Sequence, residues 1–167
     1  MNMEFRPIKG DEAESAYRII CDATEWLRRK KIKQWTEPLP RQVFDARQSR
    51  DENYGLFADG VLSVSMSLIL ESVPYWEKEI GPSPVWWLCT LATSVNRKGE
   101  GLGEEAVRRA CQHLKNKGVG LLWLDCVMEG DFLQNYYFRL GFATVAEKTI
   151  DFPKCGRTGM VLMKIIL

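Results

Sequence analysis

The sequence predicts an α/β fold with a mixed sheet, in the order β-α-α-β-β-β-α-β-α-β-β. Three observations carry that expectation. Two β-patterned runs meet at Asp59-Gly60, a strong short-range hairpin signal. A strand, a glycine-bearing loop and a helix-forming segment follow one another through residues 85–117. Beyond them, Leu121–Val127 is a nearly continuous apolar run, as expected of a buried central strand.

Residues 3–8 read as the first strand. Asp11 with Glu14 three residues on resembles a capping box, and Ala13, Ala16, Tyr17, Ile20, Thr24 and Leu27 then follow helical spacing. The basic run Arg28-Arg29-Lys30-Lys31 ends that helix, where positive charge suits the negative pole of the dipole. It is short and lies in a near-neutral chain, so it reads as a helix end, not as an RNA-binding patch. Residues 34–40 form a loop with Trp35 and two prolines, and residues 41–48 a second helix. Residues 53–58 and 61–70 are the hairpin strands. In the second, Ser63, Ser65 and Ser67 alternate with Leu62, Val64, Met66 and Leu68, the two-residue period of a strand. Residues 73–84 hold three prolines and read as a loop, and residues 85–95 as a long strand. After the glycine loop, Ala106, Val107, Ala110, Cys111 and Leu114 make one apolar helix face, with Gly118 as the stop. A short helix over 132–140 and strands over 143–152 and 158–167 complete the order.

Length and composition bound the function classes. At 167 residues a single domain, 1–167, is expected. An apolar content of 46% with 27% charged residues is ordinary for a globular protein. A net charge of +1 argues against a nucleic-acid or membrane-surface partner. The five cysteines are an odd number with no C-x-x-C pair, so disulfides and a metal site are not expected, and a cytoplasmic setting is the simplest. The first residues lack a basic region followed by an apolar one, so no signal peptide is expected.

Chemistry concentrates in Asn96-Arg97-Lys98-Gly99-Glu100-Gly101-Leu102-Gly103. Strand, glycine loop and helix together turn free backbone N–H groups toward an anion. A P-loop would need Gly-Lys-Ser/Thr at its end, and Gly103 is followed by Glu104-Glu105. A dinucleotide fingerprint would need G-x-G-x-x-G early in a parallel sheet, and here the order is G-x-G-x-G in the second half of the chain. A second motif, Tyr136-Tyr137-Phe138-Arg139-Leu140-Gly141-Phe142, closes the short helix, with Gly141 just past its end.

With both motifs in register, the chain resembles the GNAT superfamily of acyl-CoA-dependent N-acyltransferases. That signature has Arg or Gln, two residues, Gly, one residue, then Gly or Ala, and residues 98–103 match it with Lys98 at the Arg/Gln position. A second family signature, Tyr followed four residues later by Gly-Phe, is matched by Tyr137 with Gly141-Phe142. The element order extends the resemblance over nearly the whole chain. Lys98 departs from Arg/Gln, and Gly130-Asp131 stand where many relatives carry Asn.

The resemblance implies an acetyl-CoA-dependent N-acetyltransferase in which a primary amine of a small molecule or peptide attacks the thioester directly, without a covalent acyl-enzyme. The alternative is a GNAT fold that holds CoA without turnover and acts through a protein partner. Cofactor contacts are expected from Leu91, Ala92 and Thr93 toward the pantetheine arm, and from Arg97, Lys98, Gly99, Glu100, Gly101, Leu102, Gly103 and Glu104 toward the pyrophosphate. Tyr137 is the expected general acid toward the CoA sulfur, since a phenol of pKa about 10 is protonated at neutral pH. The general base is left among Glu71, Glu77, Glu79 and an ordered water. Trp26, Trp35 and Trp76, with Glu71 and Glu77, are the expected acceptor-side residues. Many relatives form dimers, and a homodimer is one assembly the family allows.

Overall fold

The computed structural model describes residues 1–167. Its strands are β1 (Met3–Pro7), β2 (Asn53–Ala58), β3 (Val61–Glu71), β4 (Val85–Thr93), β5 (Leu121–Val127), β6 (Ala143–Phe152) and β7 (Gly156–Ile166). Its helices are α1 (Ala13–Arg29), α2 (Arg41–Ser49), α3 (Glu77–Ile80), α4 (Leu102–Asn116) and α5 (Phe132–Arg139). The seven strands form one mixed sheet in the order β1-β2-β3-β4-β5-β7-β6. The chain makes two compact units, Met1–Ile69 with Leu88–Ala110, and Leu70–Trp87 with Cys111–Leu167.

In the first unit β1, β2 and β3 pair antiparallel, with Phe5 opposite Leu56 and Gly55 opposite Ser65. The hairpin turns as expected: Asp59 and Gly60 have φ of 52° and 79°, the two left-handed residues a two-residue loop requires. The helix face predicted for α1 is the buried one. Ile19, Ile20 and Ala23 pack with Ile8, Phe44 and Ala92, and a buried aliphatic chain of that size contributes about 1.5–3 kcal/mol. The start of α1 corrects the sequence reading. A 3-10 turn, Gly10–Glu12, precedes the helix, and Glu12, not Glu14, closes the cap by accepting the Lys9 backbone N–H at 2.8 Å. The Glu12 carboxylate also takes both arms of the Arg6 guanidinium, at 2.7 and 2.8 Å. Glu14 instead accepts from Arg41.

Both faces of β3 are buried, so Ser63, Ser65 and Ser67 form an internal polar layer. Ser67 Oγ donates to Asn53 Oδ1 at 2.9 Å, and Asn53 Nδ2 donates to the Phe44 carbonyl and to Gln48 Oε1. Buried hydroxyls and amides keep their hydrogen bonds this way.

In the second unit β5 pairs antiparallel with β7, Asp125 opposite Leu162, and β7 with β6. The last strand therefore lies between the two before it. β4 joins β5 in parallel where Trp87 meets Trp123. Residues 73–84, expected to be a loop, hold a 3-10 turn, Pro74–Trp76, and the four-residue α3. Pro74 stands at the first position of that turn, where its missing N–H costs nothing. The end of α5 is a Schellman motif: Phe142 N–H reaches the Tyr137 carbonyl and Gly141 N–H the Phe138 carbonyl. Gly141 has φ of 96°, and Phe142 is fully buried behind it.

Candidate active site

The glycine loop lies wholly in the first unit. β4 ends at Thr93, a 3-10 turn covers Val95–Arg97, and α4 begins at Leu102, two residues before the helix-forming segment read from the sequence. The first bond inside the helix runs from Glu105 N–H to the Gly101 carbonyl at 3.1 Å. The N–H groups of Leu102, Gly103 and Glu104 thus precede the intrahelical ladder, at the positive end of the dipole. Gly99 and Gly101 have φ of 86° and 73°, left-handed values that glycine adopts without cost. A Cβ at either would meet no atom within 4 Å. The loop is therefore open around both glycines.

Two charged side chains flank it with different tasks. Arg97 is committed inside the protein. Its guanidinium reaches Glu100 at 2.7 Å, Ser63 Oγ at 2.9 Å and the Ala58 carbonyl at 3.4 Å. It fastens the loop to β2 and β3 and is not held out toward a ligand, which corrects its expected place as a supplier of free charge. Lys98 holds its ammonium 4.1 Å from the Trp26 ring centroid, and partial burial lowers its pKa from the ordinary lysine value. Trp26 accordingly meets the glycine loop through Lys98.

Immediately before the loop, Thr90 has φ of 55° inside β4. A β-branched residue in the left-handed region is a true outlier, and such strain persists only where its surroundings hold it. Here Arg47 of α2 donates to Thr90 Oγ1 at 3.0 Å and to Ser67 Oγ at 3.4 Å. The kink falls one residue before Leu91, Ala92 and Thr93.

The second unit carries Tyr137 on α5, half-buried, edge-on to Phe142 at 5.7 Å and to Tyr136 at 5.1 Å between ring centroids. It also carries a feature that the sequence reading passed over. Asp125, on β5, accepts the Trp76 indole N–H at 2.9 Å and the Tyr75 hydroxyl at 3.2 Å, both on Oδ2. Burial raises its pKa above the usual aspartate value, and the two donors pull it back only in part. The signal was present: Asp125 is the one charged residue of Leu-Leu-Trp-Leu-Asp-Cys-Val.

The other acceptor-side expectations separate. Trp76 is fully buried and has Lys148 4.3 Å from its ring centroid, so it offers no open surface, contrary to expectation. Trp35 packs against the α1–α2 core. Glu71 and Glu77 are exposed, while Glu79 is paired with Lys148 at 3.0 Å.

Comparison with known proteins decides the family. The model of the acetyltransferase (GNAT) family matches residues 20–142. The chain belongs to the GNAT acetyltransferase family. The uncharacterized N-acetyltransferase YesJ of Bacillus subtilis is 25% identical over 142 residues, covering 81% of this chain and 79% of YesJ. A GNAT acetyltransferase structure from Listeria monocytogenes superposes with a TM-score of 0.81 at 17% identity, over 99% of this chain and 95% of its own. A structure of yncA from Salmonella typhimurium, a putative acetyltransferase with its cofactor acetyl-CoA, gives 0.71 at 13% identity, over 99% and 94%. The latter two likenesses show the fold.

This GNAT chain is an N-acetyltransferase by class, and its glycine loop combines left-handed glycines, open space and a helix N-terminus. Two of its thiols are poor nucleophiles: burial pushes Cys126 up to about 12 and Cys111 to about 11, so both stay protonated at neutral pH.

Proposed function

We propose that the chain transfers an acetyl group from acetyl-CoA to a primary amine of a small molecule or peptide by direct attack. The observation that carries this reading is the loop at Gly99 and Gly101, with the amides of Leu102 and Gly103 ahead of the helical ladder beyond it. These amides would hold the pyrophosphate, with the Lys98 ammonium beside them. Leu91, Ala92 and Thr93, which follow the Thr90 kink at the end of β4, would offer backbone groups to the pantetheine arm. When bound, acetyl-CoA supplies a thioester carbonyl that the amine attacks as the C–S bond breaks. Tyr137 would give its phenolic proton to the departing sulfur, because an ordinary phenol is still protonated at neutral pH. The raised thiol pKa values of Cys111 and Cys126 argue against an acyl-cysteine at either. Residues 1–167 are taken as one catalytic domain, since β4 and α4 each run through both compact units.

Two variants test the reading. Gly101→Glu sets a carboxylate where the phosphate would sit, in space that is open, so calorimetry should find acetyl-CoA binding lost while the fold survives a cost of about 1–2 kcal/mol for the left-handed residue. Undiminished binding would remove the loop from its role. Tyr137→Phe should lower kcat at least about 100-fold with little change in acetyl-CoA affinity. An unchanged kcat would exclude Tyr137 as the acid.

A further inference from the structure

Carboxylates withdrawn from solvent are usually paired with a cation, whereas the partly buried Asp125 takes its hydrogen bonds from neutral groups, its own backbone N–H among them. Its two side-chain partners, Trp76 and Tyr75, are neutral donors, and both fall on Oδ2. Lys148, which reaches the same Trp76 ring, is held by Glu79 at 3.0 Å and lies over the face of that ring. The neighbour across the ladder is Leu162, and the next residue is Cys126, whose buried thiol is neutral. The two donors fix the carboxylate plane, and Oδ1 takes neither of them. Beside it Tyr75, at the surface, stands edge-on to Phe152 at 5.6 Å, while Trp76 is buried with Lys148 over its face. A carboxylate lacking its counterion, framed by aromatic rings, is a receptor for an organic ammonium.

We propose that Asp125 is the catalytic base: its carboxylate is the counterion of the substrate ammonium and takes the proton that the amine must lose. This deepens the acetyltransferase reading and rests on it. In the step, one N–H bond of the ammonium breaks and its proton goes to Asp125 Oδ1, freeing the nitrogen lone pair. That pair forms the N–C bond to the acetyl carbon while the C–S electron pair leaves on sulfur and takes the Tyr137 proton. Amide formation releases a second N–H proton, which restores Tyr137, and Asp125 returns its own to solvent. Burial suits the role, since a carboxylate with raised basicity is a better match to an amine. The exposed Glu71 and Glu77 have no such environment, and Glu79 is already paired.

Asp125→Asn keeps an acceptor for Trp76 and Tyr75 but can neither balance an ammonium nor take its proton. The expected result is a loss of kcat/KM of about 100-fold or more for any amine that the wild type acetylates, with acetyl-CoA Kd unchanged within about twofold. A second readout needs no turnover. Because its folded pKa is raised, the stability Asp125 adds is present below the unfolded aspartate pKa, near 4, and is lost as pH rises through the folded value. The Asn variant should therefore match or exceed the wild-type Tm at pH 7, and that advantage should vanish in acid. Tyr75→Phe removes one donor from the carboxylate, so the acidic limb of kcat/KM should move to higher pH. Retained kcat/KM in Asp125→Asn, or lost activity together with a lower Tm and lost acetyl-CoA binding, would overturn the proposal in favour of a packing role. A wild type inert toward every amine would overturn it too. A Tm rise with acetyl-CoA would then show that the cofactor site stands without it.

Discussion

Lys98 and Trp26 meet in the contact that most changes the meaning of single residues in this chain. Trp26 looks from its sequence neighbourhood like an acceptor-side aromatic, but its ring carries the Lys98 ammonium at 4.1 Å. A cation–π contact of this kind is worth about 0.5–1 kcal/mol near a surface. Trp26→Ala is therefore expected to weaken acetyl-CoA binding roughly two- to fivefold, as measured by calorimetry. Trp35→Ala should instead lower stability by about 2 kcal/mol or more and leave the binding isotherm alone, because Trp35 sits in the α1–α2 packing. Equal effects of the two on affinity would contradict this division. Asp125 and Thr90 show the limits of reading at this scale. Asp125 was visible as a lone charge in an apolar strand, yet its missing counterion is a fact of three-dimensional packing. The φ of Thr90 was not visible at all, since a threonine in an apolar run reads as ordinary strand and only Arg47, 43 residues away in sequence, shows what steadies it.

Among the elements, α1 is the one whose start is held electrostatically. The Arg6 hydrogen bonds, helped by the Lys9 N–H, pull the Glu12 carboxyl down to about 2. Its folded pKa is depressed, so the stability it adds is present above the ordinary carboxylate range and is lost as pH falls through about 2. Glu12→Gln should lower stability by about 1 kcal/mol at pH 7. Thermal unfolding across pH should show that difference closing below about pH 4 and gone near pH 2. A difference independent of pH would assign the effect to packing. The turn after α5 is equally specific. Gly141 combines a φ of 96° with a Cβ direction 3.2 Å from Ile165 Cδ1, so Gly141→Ala should cost about 1–2 kcal/mol and loosen the helix end that carries Tyr137. Element order was legible in the sequence because hydrophobic period and turn residues act locally. The capping residue and α3 were not. Arg6 chooses Glu12 over Glu14 through a tertiary contact, and three prolines hid a helix of only four residues.

For the molecule as a whole, the segments of the proposed cofactor site were legible in the sequence and those of the proposed acceptor site were not. The glycine loop and Tyr137 are short motifs whose function lies in local backbone geometry or a single side chain. The proposed acceptor side gathers Asp125 from β5, Trp76 and Tyr75 from the turn before α3, and Lys148 and Phe152 from β6. No spacing in the sequence brings these segments together. If the loop holds acetyl-CoA, the ligand stabilises the native state by mass action. At about 100 times its Kd the gain is roughly 2.7 kcal/mol, which for a chain of this size is a rise in Tm of about 5–10 °C. No rise at that concentration would count against the cofactor site.

The most direct measurement is release of free thiol from acetyl-CoA by the purified chain across a panel of primary amines and peptides, with mass spectrometry of the acceptor. The expected result is amine-dependent release matched by an equal amount of acetylated amine, rising with pH through an acidic limb that Asp125→Asn removes. Binding of acetyl-CoA with no amine-dependent release from any member of the panel would contradict it, and would leave a CoA-holding module in place of an enzyme.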